Sequence, residues 1–448
     1  MLLIPGIQFR PDRLEFLTYE RVEPLLTRNP FTLPEGLGGN DQARRTAWPR
    51  WLQDHDRDIR SRLLRGEEDT LVNFVLFGVS FTDRPRVDLA DGLSAETTRL
   101  IEERVQRFVE AVATPGTERL RLLSNLLKRL GYSSTAGSDG ERLRRYVSEQ
   151  VTRYLAERQQ YGRAADRLRA NDATSSSNPI SGLYKDRGLS LDTDFRPNYA
   201  IEQTLIEARR RGLVRSVRRA AVIGPGLDFT DKDSGFDYYP LQTLQPFALI
   251  DSLIRLDMAR SSDLKVSVFD ISPQPLDHLS QAISRARSNE PYTLQLVLNR
   301  DLAWNEGTLT YWRGLGDRIG TPVEPLPAPG QVRNVERRAI RIRPEIVTML
   351  ETQDVNIVAQ HLVGEGFDLV VATNVLIYYD RFEQALAQLN IEAMLNAGGV
   401  LLSNDLLENH AGLKLRTTGT VSVPYSSTQA DEVGIYSAAA FPSQLPPA

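Results

Sequence analysis

The sequence from about residue 200 onward alternates short apolar runs with amphipathic helical stretches, and this alternation constrains the fold more than any other feature. The helical stretches place apolar residues three and four positions apart, whereas the runs between them read as buried strands. The predicted strands cover 218–224, 265–271, 367–376 and 400–405, and the predicted helices cover 198–214, 246–259, 275–288 and 380–395. Such alternation predicts an α/β fold with a mainly parallel sheet between helices. The end of the chain adds a predicted antiparallel hairpin.

A different pattern fills residues 1–178, which predict a mostly α-helical N-terminal domain. Amphipathic periodicity recurs there, and the apolar run at 71–81 is expected to pack centrally. The periodic stretches are 51–66, 94–113, 118–132 and 141–169. The small and polar run ANDATSSSNPISG at 170–182 then predicts a boundary. We therefore predict a helical domain at 1–178 and a sheet domain at 179–448 that binds its ligand by itself.

Composition and charge argue against several functions. A formal net charge of −4 supplies no basic field for nucleic acid or an anionic membrane, so we expect neither partner. No run approaches the roughly 18 apolar residues of a membrane span, and the N-terminus predicts no signal peptide. The chain has no cysteine, which excludes disulfides and thiolate chemistry and fits a cytoplasmic location. Its four histidines are far apart, so no metal site is predicted.

A glycine turn and an acid follow the first two predicted strands. Gly224 and Gly226 come directly after the first strand, where a turn brings backbone amides and a helix N-terminus close to a ligand. Asp270 ends the second strand, where a carboxylate accepts hydrogen bonds from ribose hydroxyls. The alternative is that the glycines serve the turn sterically and that Asp270 caps the helix that follows.

The same turn discriminates between two adenosine ligands. The dinucleotide fingerprint has a third glycine and an acid about 20 residues further on, whereas this chain reads GPGLDF and its acid lies much later. A diphosphate requires the close approach that the third glycine allows. The sequence therefore favours S-adenosylmethionine as cofactor, and an NAD-linked oxidoreductase is the alternative.

Several ordered segments carry a resemblance to a known family. The text FDLVVATNVLIYYD at 367–380 resembles the signature of the chemotaxis-receptor glutamate methyltransferases, the CheR type. Flanking segments are similar in the same order, so the resemblance covers about residues 218–410. These segments are LQPFALIDSL at 244–253, FDIS at 269–272, YWRG at 311–314 and RIRPEIVTMLETQDVNIV at 341–358. The resemblance implies a Rossmann-like class I methyltransferase fold and S-adenosylmethionine as methyl donor.

The resemblance also implies a cofactor site. Asp270 would hold the ribose, Asn356 and Ile357 would meet the adenine, and Gln245 would lie near the methionine amino group. Asn374 and Tyr378 would line the floor and the acceptor side of the pocket, although Tyr378 also reads as a core aromatic. The expected cofactor-binding residues are Gly224, Gly226, Gln245, Asp270, Ile271, Asn356, Ile357 and Asn374, and the expected catalytic residue is Tyr378.

Two departures from the family bear on the acceptor. Thr373 stands where the family has an arginine, and Gln245 stands where it has an acid. A carboxylate acceptor requires a nearby cation, so Thr373 predicts a small-molecule acceptor rather than a receptor glutamate. The same departures favour the alternative of a catalytically inactive binding or scaffold protein.

Other parts of the sequence are open to two interpretations. The loop at 227–244 either covers the site and selects the acceptor or is a solvated insertion. The segment that enters the sheet, with Tyr184, Arg187 and Tyr199, either closes over the site or is an ordinary connector. A hydroxyl acceptor would also require a base. The candidates are Tyr378, Tyr379, Asp380, Asp405 and His361.

Overall fold

A computed structural model describes most of the chain and leaves out both ends and several internal segments. The described residues are 14–89, 93–132, 137–170, 195–230, 236–364 and 366–438, with only the backbone described at 161–170. The predicted boundary between residues 178 and 179, and the candidates Tyr184 and Arg187, lie outside these ranges. Within these ranges, no helix is both long and apolar enough to cross a membrane.

The centre of the fold is a seven-stranded sheet in the order β11-β12-β10-β9-β2-β3-β7. Strands β2, β3, β7, β9 and β10 run parallel, and β12 and β11 close one edge as an antiparallel hairpin. The strands are β2 (Arg219–Ile223), β3 (Lys265–Asp270), β7 (Leu350–Asp354), β9 (Phe367–Ala372), β10 (Leu395–Ser403), β11 (Arg416–Pro424) and β12 (Ala430–Ser437). This sheet confirms the predicted α/β class and the hairpin.

Both faces of the sheet are covered, because the side chains of β2 alternate between two cores. Ala220 and Val222 lie in the cluster on one face, whereas Ala221 and Ile223 lie in the cluster on the other. A strand buried on both sides must be apolar throughout, which explains the run RAAVI. The flanking helices are α6 (Arg196–Arg210), α7 (Gln245–Arg255), α8 (Pro273–Arg287), the short α10 (Pro344–Val347) and α11 (Arg381–Met394).

A small antiparallel sheet between α8 and β7 was not predicted from the sequence. It has the strand order β4-β6-β5 and packs Leu294, Leu296 and Ile340 against the first face of the main sheet. Its elements are β4 (Tyr292–Asn299), α9 (Glu306–Gly314), β5 (Gly320–Val323) and β6 (Val335–Ile342).

The beginning of the described chain packs directly on the second face of the main sheet. Strand β1 (Leu14–Phe16) pairs antiparallel with β8 (Gln360–Leu362), and α1 (Tyr19–Arg28) follows it. The 37-residue helix α2 (Asp41–Phe77) then crosses the same surface and buries Trp48, whose indole N–H donates to the Leu17 carbonyl at 2.7 Å. This N-terminal segment and the sheet share one hydrophobic core.

The last two turns of α2 and the next three helices form a separate bundle. Its elements are α3 (Ala95–Ala113), α4 (Glu118–Arg129) and α5 (Gly137–Ala170), and its core includes Phe74 and Phe108. Leu227, Phe229 and Leu241, from the loop after β2, complete that core. The described part of this loop is therefore packed against the bundle and is not a solvated insertion.

Candidate active site at the carboxyl edge of the sheet

A cavity opens where β2, β3, β7 and β9 end, and it contains most of the residues predicted from the sequence. It has about 990 Å³ of empty space, a volume that includes open solvent at its mouth. Of the nine predicted site residues, every one except Asn356 lines it. Neighbouring parallel strands bring their carboxyl ends to one edge, which is why residues far apart in the sequence meet here.

The glycine turn after β2 allows two segments to approach closely. Gly224 and Gly226 have φ values of +67° and +65°, a conformation that side chains with a Cβ rarely adopt. A Cβ atom at Gly224 would lie 2.3 Å from Cγ2 of Val375. Gly224 is therefore required both by its backbone conformation and by the segment after β9 that packs against it.

Asp270 lies at the end of β3 with its carboxylate in the cavity wall. It accepts a hydrogen bond from the backbone N–H of Ser272 at 2.8 Å, and burial raises its pKa to about 7. The N-cap position of α8 is Ser272, so Asp270 does not cap this helix. Its carboxylate thus remains on the cavity surface, where a ligand with hydroxyl donors is able to reach it.

The segment after β7 contributes two apolar side chains to the cavity and one side chain that points elsewhere. Val355 and Ile357 line the cavity. Asn356 is fully buried, donates to Asp56 of α2 at 2.9 Å and accepts from the N–H of Val358 at 3.1 Å. Asn356 therefore fixes the course of this segment and does not itself line the cavity. Its contact with adenine stays a prediction.

Helix α2 forms part of the cavity wall, which the sequence did not predict. Leu63 lines the cavity, and Arg60 makes a two-point ion pair with Asp354 at 2.8 and 3.0 Å. Arg62 donates to the carbonyl of Tyr378 at 2.9 Å. These contacts tie the helix to the end of β7 and to the segment that follows β9.

The two departures from the family pattern touch each other. The amide N–H of Gln245 donates to the hydroxyl of Thr373 at 2.6 Å, and both residues are buried in the cavity wall. Among the described residues that line the cavity, none is a lysine, arginine or histidine, and Asp270 is the single charged one. This part of the cavity therefore presents a neutral pair and no counter-ion for an anionic acceptor.

The segment after β9 is held by two residues that follow β10. Asn374 has a φ of +57°, and its side-chain carbonyl and backbone N–H both bond to the Asn404 amide at 2.9 and 2.8 Å. Asp405 accepts from the N–H groups of Val375 and Leu376, and burial raises its pKa to about 6. Asp405, a candidate base, thus binds backbone N–H groups of the segment after β9. Asn404 holds the same segment in position, a role that the sequence did not indicate.

The other candidate bases divide into two groups. Tyr378 and Tyr379 line the cavity, and burial raises the pKa of Tyr379 well above its usual value. Asp380 is instead the N-cap of α11, and His361 is buried with its ring bonded to Asn390. Tyr199, for which closure over the site and an ordinary connector were both open, packs with its ring centroid 5.3 Å from that of Tyr311 in the core.

Comparison with known protein families identifies one segment within the C-terminal half. Residues 329–416 match the family model described as the CheR methyltransferase, SAM binding domain. This range contains β7, the 355–357 segment, β9 and the segment that carries Asn374 and Tyr378. No curated protein sequence matches the chain.

Solved methyltransferase structures are similar over long stretches but at low identity. N-methyltransferase NodS from Bradyrhizobium japonicum WM9 is 13% identical, with 54% of this chain and 88% of that chain covered and a TM-score of 0.27. Magnesium protoporphyrin IX methyltransferase ChlM from Synechocystis PCC 6803 is 11% identical over 61% and 90%, with a TM-score of 0.26. Mitomycin 7-O-methyltransferase MmcR is 13% identical over 88% and 99%, with a TM-score of 0.24.

The sheet order, the cavity and the family match define the class of protein as the class I methyltransferases. This protein is an S-adenosylmethionine-dependent methyltransferase, its cofactor is S-adenosylmethionine, and it is similar to the CheR domain over residues 329–416. The match to a SAM-binding family favours this assignment over the NAD-linked alternative.

Proposed function

We propose that this methyltransferase acts on an enclosed small-molecule acceptor that is not a carboxylate, and that it does so in the cytoplasm. The observation that carries the proposal is the neutral pair of Gln245 and Thr373 in a cavity whose described lining has no cation. An anionic acceptor in such a cavity would leave its charge without a partner, which is costly. The cavity wall contributed by α2 supports a small acceptor, because Leu63 faces the same space as the sheet residues.

The cavity lining fits S-adenosylmethionine in our proposal. Asp270 accepts hydrogen bonds from the ribose hydroxyls, and Val355 and Ile357 pack on the adenine. The turn at Gly224 and Gly226 carries no side chains and so lets the backbone approach the methionine portion of the cofactor. The left-handed φ values of both residues, and the close packing of Val375 on Gly224, favour glycine at these positions. Ile271, Gln245 and Asn374 complete the proposed cofactor contacts.

When bound, S-adenosylmethionine supplies a methyl group that its sulfonium has already activated. The chain's contribution is then to align the acceptor and to exclude water. Tyr378 is the proposed catalytic residue, because its side chain lines the cavity and its backbone is fixed by Arg62. Tyr379 stays protonated near neutral pH, since burial raises its pKa, and so acts as a hydrogen-bond donor and not as a base.

Calorimetry followed by an activity assay tests the proposal. We expect S-adenosylhomocysteine to bind and NAD not to bind under the same conditions. We then expect labelled S-adenosylmethionine to label a component of a small-molecule filtrate, and not chemoreceptor fragments. Tyr378→Phe should slow this labelling while leaving S-adenosylhomocysteine affinity unchanged. Labelling confined to receptor fragments would contradict the proposal, and binding without transfer to any fraction would favour the inactive alternative.

A further inference from the structure

One row of residues on α2 makes contacts with segments that border the cofactor cavity. Asp56 and Arg60 lie one turn apart, and both bond to the segment at the end of β7. Glu67, two turns further along, accepts from the side-chain amide of Gln274 in the first turn of α8. Leu63 lies between them in the same row and lines the cavity. This row of α2 therefore connects the segments that follow β3 and β7.

Asp56 is the residue through which this row reaches the cavity wall. Its carboxylate accepts from Nδ2 of Asn356 at 2.9 Å and from Nε of Arg60 at 3.1 and 3.2 Å. The two terminal nitrogens of Arg60 donate in turn to the Asp354 carboxylate at 2.8 and 3.0 Å. A single turn of α2 thus holds the residues on both sides of Val355.

Asn356 passes this contact on to the residues that line the cavity. Its side-chain oxygen accepts from the N–H of Val358 at 3.1 Å, and its amide nitrogen donates to Asp56. The residue is 0% exposed, so removing the Asp56 carboxylate would take an acceptor away from a buried donor. The segment would then shift to recover a partner. Val355 and Ile357 flank Asn356 and line the cavity, so they would move with it.

We infer that Asp56 is a positioning residue of the cofactor site, which acts through Asn356 to hold Val355 and Ile357 against the adenine. The inference rests on the proposed function, because that proposal gives these two apolar side chains the adenine contact. Asp56 stands 300 residues before Asn356 in the sequence. Cofactor affinity therefore depends on a residue of the N-terminal helical region that does not itself line the cavity.

Calorimetry of full-length variants with S-adenosylhomocysteine tests this role. We expect Asp56→Ala to bind about 10-fold more weakly than the wild type, because a buried hydrogen bond is lost. Asp56→Asn keeps an oxygen that accepts from Asn356, so its affinity should stay within about threefold of the wild type. Asp58→Ala removes a carboxylate from an exposed position on the same helix and is the matched control, with no expected change.

The transfer assay separates positioning from a general loosening of the fold. With labelled S-adenosylmethionine and the small-molecule filtrate, Asp56→Ala should raise the KM for S-adenosylmethionine about 10-fold and leave kcat unchanged. The reason is that the segment at 355–357 meets the adenine in our proposal and not the transferring methyl group. A general loosening would lower kcat as well, and a fall in kcat without a rise in KM would overturn the inference.

A double variant tests the route through Asn356. Asn356→Ala removes the other partner of the bond, so Asp56→Ala combined with Asn356→Ala should bind no more weakly than Asn356→Ala alone. Additive losses would overturn the route. If Asp56→Ala does not fold, Asp56→Glu takes its place, since the added methylene displaces the carboxylate from Asn356. We expect that variant to bind about threefold more weakly, and wild-type affinity would overturn the inference.

Ile357→Ala distinguishes failure of the inference from failure of the proposed function. This variant removes part of the proposed adenine contact directly, so S-adenosylhomocysteine should bind about 10-fold more weakly. A loss in Ile357→Ala with none in Asp56→Ala would overturn the role of Asp56 alone. Unchanged affinity in Ile357→Ala would instead count against the proposed adenine contact.

Discussion

The two parts of the N-terminal region have opposite relations to the active site. The first part, from β1 to Leu63 in α2, packs its apolar side chains into the core of the catalytic sheet and lines the cofactor cavity. The second part, from Leu71 in α2 to Leu155 in α5, builds a bundle with its own core and reaches the catalytic half through the loop after β2. The two parts have similar helical periodicity, but the first covers the sheet and the second forms a bundle. The surfaces on which the helices pack distinguish the two parts, whereas the sequence pattern does not.

Polar contacts follow the same division. On the first part, Arg60 bonds Asp354 and the imidazole of His55 lies 2.8 Å from Glu383, so α2 is bonded to segments on both sides of the cavity. On the second part, buried Arg119 bonds three carbonyls of the loop. The first set of contacts positions the cofactor site, whereas the second set fastens the loop after β2 to the bundle.

The largest expected effect is that of removing both parts. A chain beginning at residue 195 would expose the sheet face that Leu17, Trp48 and Leu52 cover, and it would lack Leu63 in the cavity. We expect no cooperative thermal transition and no binding of S-adenosylhomocysteine. This expectation replaces the independence of residues 179–448 that we predicted from the sequence. A soluble truncated chain that binds with full affinity would restore the earlier prediction.

Single core substitutions sharpen the comparison. Trp48→Ala and Phe108→Ala each remove a buried aromatic ring, from the first and the second part respectively. We expect each to lower the free energy of unfolding in urea by about 3–5 kcal/mol. Trp48→Ala should also weaken S-adenosylhomocysteine, whereas Phe108→Ala should leave its affinity unchanged wherever the protein is still folded. Equal losses of affinity would show that the two parts support the cofactor site alike.

Asp270 provides a test within the catalytic half. Asp270→Asn should weaken S-adenosylhomocysteine by about 1–3 kcal/mol through loss of charged hydrogen bonds to the ribose. Burial raises the pKa of the free carboxyl to about 7, so below that pH the free protein carries a proton that binding must release. Wild-type affinity should therefore fall as the pH drops from 8 to 6, by at most about tenfold per unit, and Asp270→Asn should show no such dependence. A pH-independent wild type would contradict the ribose assignment.

The smallest expected effect is at the contact between α2 and β7. Arg60→Gln removes the pair with Asp354, which is partly exposed and so worth about 0.5–1 kcal/mol in our expectation. We expect S-adenosylhomocysteine affinity to fall by a few-fold, because the 355–357 segment loses its tie to α2. Arg57→Gln, on the same helix but paired with Asp54, is the control that should have no effect. An equal response of the two variants in calorimetry would rule out a specific role for Arg60.

The sequence predicted the parts of the site that follow from strand order. Gly224, Asp270 and Asn374 lie at or just beyond the ends of three parallel strands, so their meeting at one edge follows from the fold class alone. The predicted strand at 367–376 ends at Ala372, because Asn374 takes a left-handed conformation that stops the extended chain. Asn404 has a signal that could have revealed it, since it follows β10 at the same edge.

The contributions from distant segments could not be predicted. Periodicity shows which face of α2 is buried, but it does not show that Leu63 meets the cavity or that Asp56 meets Asn356. Asp56 and Arg60, four residues apart on a charged helix, look like a solvated pair. The strand at 335–342, VERRAIRI, was missed because charged residues interrupt its apolar pattern. The strand at 292–299, YTLQLVLN, alternates apolar and polar residues and carried a strand signal that the prediction left out.

The pairing of β1 with β8 has a consequence for how the chain is made. Leu14 leaves the ribosome about 350 residues before its partner Leu362. At about 5–20 residues per second, the first strand and its apolar neighbours wait roughly 20–70 s for the surface that covers them. During that interval the bundle, whose helices are close in sequence, is able to fold first. Newly made chains should therefore depend on chaperones at their N-terminal 60 residues and much less so at the bundle.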